Sequence, residues 1–219
     1  MLSPLPPLLV SYRNFLSLRE EDLSAMSMMN ERFSSICDGK IIYLVKSCNG
    51  VFFLDFELGD GKREFYIYNL TTGKYRFISL PDTIDESHLV LTMNLAFDPE
   101  KSEDYDVVCL WSYASGDQLR FSVYSSGSWI WRHSTECYGC NEYGEVDLYG
   151  YDGIFWNGAV HWFSQTGQLL CFDIGNCSFR SMSTTPIPEE LGIGYFGEFG
   201  GHLHLIGHNS DQCTEFDIF

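Results

Sequence analysis

Short apolar segments alternate with turn signals along most of the chain. Asn157-Gly158 lies between the apolar segments 154–156 and 159–162. An Asn-Gly pair flanked by aromatic and β-branched residues strongly predicts a β-hairpin, because both turn residues must accept a positive φ. Asn49-Gly50 and Gly200-Gly201 predict two more hairpins of the same kind.

A fourth hairpin is predicted where residues 95–98 and 105–110 flank a longer turn. The first three of these four units along the chain are each followed by a second hairpin, with a turn glycine at Gly73, Gly127 or Gly175. These glycines follow one another at steps of 54 and 48 residues. Two linked hairpins in a step of roughly 50 residues are typical of the blades of kelch-like β-propellers.

Several of the predicted strands are apolar on both faces, such as residues 51–54 and 107–110. Strands of this kind are covered on both sides, as the inner strands of stacked blades are. A β-sandwich also needs many short strands, but the regular step favours the propeller. The predicted fold is therefore all-β: a β-propeller-like domain over residues 41–219, with about four blade repeats of antiparallel strands, complete or incomplete.

The first forty residues differ from the rest. Residues 17–20, Ser-Leu-Arg-Glu, fit a capping box and predict a short helix, and a solvated linker is the alternative. We expect residues 1–40 to be a separate segment that precedes the propeller domain.

Charge and targeting signals narrow the classes of partner. The 219 residues include 30 acidic and 13 basic ones, for a formal net charge of −17, which suits neither nucleic acid nor anionic lipid. We expect no nucleic-acid and no membrane partner. A secretory signal begins with a basic region, but no basic residue precedes Arg13, so we expect no such signal. The eight cysteines also lack the spacing of a disulfide framework. We therefore expect reduced thiols in a cytoplasmic and/or nuclear protein.

Three motifs could carry chemistry, and each has a simpler interpretation. Cys137 and Cys140 form a C-x-x-C pair near His133, but zinc usually needs a second such pair. Residues 192–197 fit G-x-G-x-x-G, yet their aromatic neighbours indicate a strand rather than a nucleotide-binding turn. The acidic run 98–106 lacks the spacing and the central Gly of an EF-hand, and we expect a solvated hairpin turn there. We predict no catalytic, metal or cofactor site and no enzyme; the enzymatic alternative is a propeller glycosidase with two facing carboxylates.

Several of these segments, in this order, carry a resemblance to a known family. They are Ser-Cys-Asn-Gly at 47–50, Tyr-Asn-Leu-Thr-Thr-Gly-Lys-Tyr-Arg at 68–76, Leu-Ala-Phe-Asp-Pro at 95–99 with the strand 105–110, Gly-Ile-Phe-Trp-Asn-Gly-Ala-Val-His-Trp at 153–162, and the strands at 169–174 and 195–206. The set resembles the F-box-associated domain of many plant F-box proteins. Leu70 and Asp106 depart from the usual Pro and Lys of that pattern.

The resemblance implies a propeller-like domain that follows an N-terminal F-box. In that family the F-box recruits a Skp-type adaptor and a cullin ubiquitin ligase, and the associated domain selects the target protein without catalysis. Leu5-Pro6 and residues 23–33 echo the F-box only faintly. Residues 1–40 are therefore a linker or a degenerate F-box remnant, and the adaptor and cullin are expected partners only if an F-box is present.

The expected function is a protein-binding module that resembles the substrate-recognition domain of a Skp–cullin–F-box ubiquitin ligase. The acidic charge favours a basic patch on the target. Aromatic residues dominate binding hot spots, so the candidate contact residues are Tyr113, Trp129, Trp131 and Tyr138. Packing between blades is the alternative role for these rings. The alternative functions are an F-box-less decoy that binds a target without delivering it, and a stand-alone protein-binding propeller.

Overall fold

A computed structural model describes residues 10–12, 41–57, 63–114, 118–139, 148, 152–164, 167–183, 191–209 and 216–218. These residues form sixteen β-strands in four sheets, and no helix occurs among them. The helix predicted near residues 17–20 lies outside the described residues. In this described part of the chain, no helix could cross a membrane.

The chain divides into two compact units, of which residues 1–80 are the first. Sheet 1 belongs to this unit and has the strand order β1-β2-β3-β4-β5. β1 pairs with β2 in parallel, and the other neighbours are antiparallel. The strands are β1 (Val10–Tyr12), β2 (Ile41–Cys48), β3 (Val51–Glu57), β4 (Arg63–Asn69) and β5 (Lys74–Ile78).

Residues 81–219 form the second unit, which contains three antiparallel sheets in sequence order. Sheet 2 consists of β6 (His88–Phe97), β7 (Tyr105–Tyr113), β8 (Gln118–Ser125) and β9 (Ile130–Gly139). Sheet 3 consists of β10 (Ile154–Trp156), β11 (Ala159–Phe163), β12 (Gln168–Asp173) and β13 (Ser178–Ser183). Sheet 4 consists of β14 (Leu191–Phe199), β15 (His202–Asn209) and β16 (Phe216–Ile218).

The all-β, propeller-like fold with four sheets confirms the predicted fold class. The predicted hairpins are also present. Asn49-Gly50 connects β2 to β3, with φ values of 47° and 79°. Asn157-Gly158 connects β10 to β11 with φ values of 49° and 81°. Gly200-Gly201 connects β14 to β15, also with both φ values positive. A two-residue turn with positive φ at both positions has a backbone twist that matches the right-handed twist of the flanking strands. Asn-Gly and Gly-Gly pairs adopt this conformation readily, so they indicate such turns in the sequence.

The second hairpins of sheets 2 and 3 differ from the sequence interpretation in one respect. In sheets 1, 2 and 3 the four-residue turn of the second hairpin ends on a residue with positive φ, which is Gly73 (65°), Trp129 (63°) and Cys177 (50°), respectively. Gly127 and Gly175 lie two residues earlier and have no positive φ. The equivalent turn positions are therefore 73, 129 and 177, and only the first of them is a glycine.

The core of the second unit lies between sheets 2 and 3. Phe121 of β8 stacks on Phe172 of β12 with ring centroids 4.7 Å apart. The ring of Trp162 also packs against the Phe121 ring, with centroids 5.8 Å apart. Burying an aromatic side chain of this size contributes about 1.5–3 kcal/mol. The remaining buried members are Ala96, Val108, Leu110, Leu119, Val123, Leu148, Val160, Leu170 and Ile174.

Candidate functional site

Sheets 1, 2 and 3 share one feature at the end that carries two of their turns. In sheets 1 and 3 a backbone N–H of the later turn donates to a carbonyl of the earlier turn. In sheet 2 it donates to the carbonyl of Tyr105, the first strand residue after the earlier turn. The pairs are Leu70 to Gly50 at 2.9 Å, Ser126 to Tyr105 at 2.9 Å and Ile174 to Gly158 at 3.3 Å. We call this end of a sheet its turn end. Because the two turns are joined, their side chains are presented as one surface.

The turn end of sheet 2 differs from the others because its first turn is long and acidic. We call residues 98–104, Asp-Pro-Glu-Lys-Ser-Glu-Asp, the acidic loop. Its one cation, Lys101, lies 3.1 Å from a carboxylate oxygen of Asp98 and lowers the pKa of that carboxyl through this hydrogen bond. Glu100, Glu103 and Asp104 are exposed. The loop thus presents a net negative charge to solvent.

Side-chain hydrogen bonds hold the acidic loop against the turn 126–129. The Ser126 hydroxyl donates to Oδ1 of Asp104 at 3.1 Å and accepts the Tyr105 N–H at 2.9 Å. Gly127 allows this close approach, since a Cβ there would lie 2.7 Å from Oδ2 of Asp104. The position of the acidic loop relative to this turn is therefore set by direct contacts.

Trp129 occupies the last position of that turn. Its N–H donates to the carbonyl of Ser125 at 2.8 Å, and its φ is 63°. Bulky residues rarely adopt this left-handed conformation, which brings Cβ close to the following carbonyl oxygen. Trp129 is 49% exposed, and the next residue, Ile130, is 60% exposed. Two exposed apolar residues therefore end the turn whose first residue, Ser126, bonds to Asp104 of the acidic loop.

The structure separates the four aromatic candidates into two groups. Trp131 follows Trp129 at the turn end, half-buried with its ring 5.5 Å from that of Tyr124. Tyr113 and Tyr138 lie toward the opposite end of sheet 2, since β7 and β9 run about 25–30 Å along the sheet.

At that opposite end the two tyrosines differ in exposure. Tyr113 is 42% exposed, next to His88 at 4.8 Å and the Arg120 guanidinium at 5.4 Å. Tyr138 is half-buried against Phe179 of sheet 3 at 5.2 Å, a packing arrangement between neighbouring sheets. Partner contact by any of the four aromatic residues stays a prediction.

The structure also describes part of the C-x-x-C motif near His133 and the whole of the glycine-rich motif. His133 Nδ1 lies 2.9 Å from the Ser122 hydroxyl, which also accepts the Trp111 indole N–H at 2.9 Å. Cys137 lies in β9, and Cys140 lies outside the described residues. Within the described ranges, no three His, Cys, Asp or Glu side chains are grouped to hold a metal ion. Residues 192–197 lie in β14, which confirms that the glycine-rich motif is a strand.

Sequence reasoning identifies Trp129 as a candidate contact residue but does not connect it to Ile130 or to the acidic loop. The solvated turn expected at the acidic run agrees with the exposure of residues 99–104. The sequence does contain a signal for this neighbourhood. It predicts two consecutive hairpins in one blade, and the turns of two such hairpins lie at the same end of the sheet. Combining that pairing with the charge of residues 98–104 would have joined the acidic loop to Trp129.

The four sheets, three of them with joined turns among the described residues, define a propeller-like repeat protein. Residues 10–194 match the family model described as the F-box associated beta propeller domain. The chain therefore belongs to this family, and the resemblance seen in the sequence is confirmed.

A curated relative and two solved structures are also similar to the chain. The F-box protein At5g07610 of Arabidopsis thaliana is 28% identical over 171 residues, which are 71% of this chain and 39% of the relative. The chain thus spans about two fifths of that relative's length.

The structure of BBS1N in complex with ARL6DN matches at a TM-score of 0.41 and 12% identity, over 82% of this chain and 50% of that one. The SapL1 lectin matches at 0.41 and 13%, over 79% and 58%. At these values neither structure bears on function.

Proposed function

We propose that this chain is the target-recognition module of an F-box-type protein and performs no catalysis of its own. The observation that carries the proposal is the match of residues 10–194 to the F-box associated domain family. The exposed turn end of sheet 2 supports it, because Trp129 and Ile130 are exposed apolar residues of a turn that is bonded to an acidic loop. Binding sites between proteins commonly have this arrangement of aromatic anchor and polar surroundings.

In the whole protein, this module would select a target for ubiquitination. The similar Arabidopsis protein is named an F-box protein, and this chain matches part of it. An F-box segment would connect the module to a Skp-type adaptor and a cullin. Such a complex would act in the cytoplasm, the nucleus or both, as the sequence analysis expects. A decoy or stand-alone binder would use the same recognition surface without the adaptor.

Affinity capture tests the ligase role. The tagged full chain is incubated with plant extract, and the retained proteins are identified by mass spectrometry. The matched control is the double variant Leu5→Ala, Pro6→Ala, which alters the faint F-box signature. If the original chain retains adaptor and cullin and the double variant does not, the result would support a working F-box.

Two other results separate the alternatives. Recovery of a reproducible target without adaptor or cullin would leave a decoy or a stand-alone binder. If the folded chain retained no protein reproducibly, the recognition proposal would be rejected.

A further inference from the structure

We propose that the turn end of sheet 2 binds a basic segment of the target, in which Lys or Arg residues flank an apolar side chain. The inference rests on the proposed recognition function and assigns it to one surface. That surface, here the docking surface, consists of Trp129, Ile130 and the acidic loop, residues 98–104. All of it lies within one sheet of the second unit.

The negative charge of the docking surface favours a positively charged partner. The acidic loop has four carboxylates and one lysine, and that lysine is paired with Asp98. Glu100, Glu103 and Asp104 are exposed, and Asp104 is bonded to Ser126 of the turn that presents Trp129. An acidic partner would meet like charges here, whereas a basic one would be attracted and oriented. Cations also bind well over the face of a Trp ring.

The backbone of Trp129 supplies a second, independent argument. At the equivalent turn position of sheet 1 the residue is Gly73, for which positive φ has no steric cost. Cys177 adopts the same positive φ at the equivalent turn of sheet 3 but is half-buried, whereas Trp129 is 49% exposed. A large apolar residue that is half exposed on a turn is what an anchor for a partner requires.

The docking surface is also held in position before binding. Ser126 joins the acidic loop to the turn through Asp104 and Tyr105, and Ser125 accepts the Trp129 N–H. A positioned anchor loses less conformational freedom on binding than a mobile one. The surface therefore suits a short, extended segment that inserts its apolar side chain beside Trp129 and places its cations over the loop.

Fluorescence anisotropy with synthetic peptides tests this proposal. The probe is a labelled peptide with a central Leu flanked by Lys and Arg on both sides, and the matched peptide replaces these cations with Glu. We expect the full chain to bind the basic probe and not the acidic one. Trp129→Gly should weaken binding by about tenfold, and the triple variant Glu100→Gln, Glu103→Gln, Asp104→Asn should weaken it and reduce its salt dependence.

Matched variants separate a specific site from general attraction to an acidic protein. Asp82→Asn with Glu86→Gln removes exposed charge from the segment before β6, at the opposite end of that strand from the acidic loop. Cys177→Gly makes the same backbone change at the equivalent turn of sheet 3. Both controls should retain binding. Each variant is first checked by thermal unfolding.

Three outcomes would overturn the docking surface: no binding of the basic probe at about 1 mM, equal losses in the charge controls, or full binding by Trp129→Gly. If the chain nevertheless captured a target whose retention did not depend on these residues, the recognition function would stand and only its assignment to this surface would fail. If neither peptide nor target bound, both would fail.

Discussion

The side-chain oxygen of Asn94 accepts a hydrogen bond of 2.8 Å from the backbone N–H of Gly153. Asn94 is fully buried in β6, and Gly153 directly precedes β10, so this bond joins sheets 2 and 3. A Cβ at residue 153 would overlap the side chains of Val160 and Trp162. The pair therefore combines a buried polar bond with a close approach that glycine permits.

Replacing Asn94 by leucine should lower the free energy of unfolding by about 1–3 kcal/mol, because the Gly153 N–H would lose its partner in a buried place. Urea denaturation followed by fluorescence measures the change. Thr135→Ala, at an exposed position of β9, is the control and should change stability little. An Asn94→Leu protein as stable as the original would show that the bond contributes nothing net.

The conformation of Trp129 predicts a difference between two small replacements. Trp129→Gly and Trp129→Ala both remove the ring and differ only in the Cβ at φ 63°. The glycine variant should be more stable by about 1 kcal/mol, because alanine retains the steric cost of a left-handed backbone. Thermal and urea unfolding of the two variants give the difference. Equal stability would mean that the turn changes conformation when the ring is absent.

His161 predicts a loss of stability in mild acid. The side chain is 4% exposed, and burial lowers its pKa below 6.5, although backbone hydrogen bonds of Ile154 and Ala159 oppose this shift. Below about pH 6.5 the unfolded chain binds a proton that the folded chain does not, so stability falls as the pH drops toward the folded pKa. Urea midpoints at pH 7 and pH 5 measure this loss.

His161→Gln should show a smaller loss over the same interval, since glutamine does not titrate. The comparison is of slopes against pH, which removes any constant effect of the substitution. Parallel pH curves for the two proteins would contradict the assignment to His161.

Asp106 predicts the opposite dependence on pH. Burial raises the pKa of this carboxyl, while a hydrogen bond with Ser125 and the charge of Arg132 lower it. Above its usual pKa the folded state holds the proton more strongly than the unfolded state, so stability decreases as the pH rises through the folded pKa. Asp106→Asn should therefore be more stable than the original chain at pH 7.

That advantage should disappear near pH 3, where the carboxyl is protonated in the original protein. Asp82→Asn, an exposed replacement with the same change in charge, corrects for the general repulsion of an acidic chain. An Asp106→Asn protein with no gain over this control at pH 7 would show that the Ser125 hydrogen bond and the attraction to Arg132 together outweigh burial.

The local elements of this protein are encoded in short stretches of its sequence. Asn49-Gly50 and Asn157-Gly158 specify their hairpins because the backbone requirement of a tight turn is met by the turn residues themselves. The buried strand β3 was recognisable from residues that are apolar on both faces. Repetition of these local signals was enough to predict four propeller-like sheets.

Which side chains share a surface depends instead on how the strands pair and pack. Gly127 stood out as a turn glycine, yet the strand pairing puts the positive φ two residues later, at Trp129. The same pairing places Tyr113 and Trp129 at opposite ends of sheet 2 and brings the acidic loop against the turn of Trp129. These relationships depend on strand register and on contacts between segments far apart in the chain, which no local preference encodes.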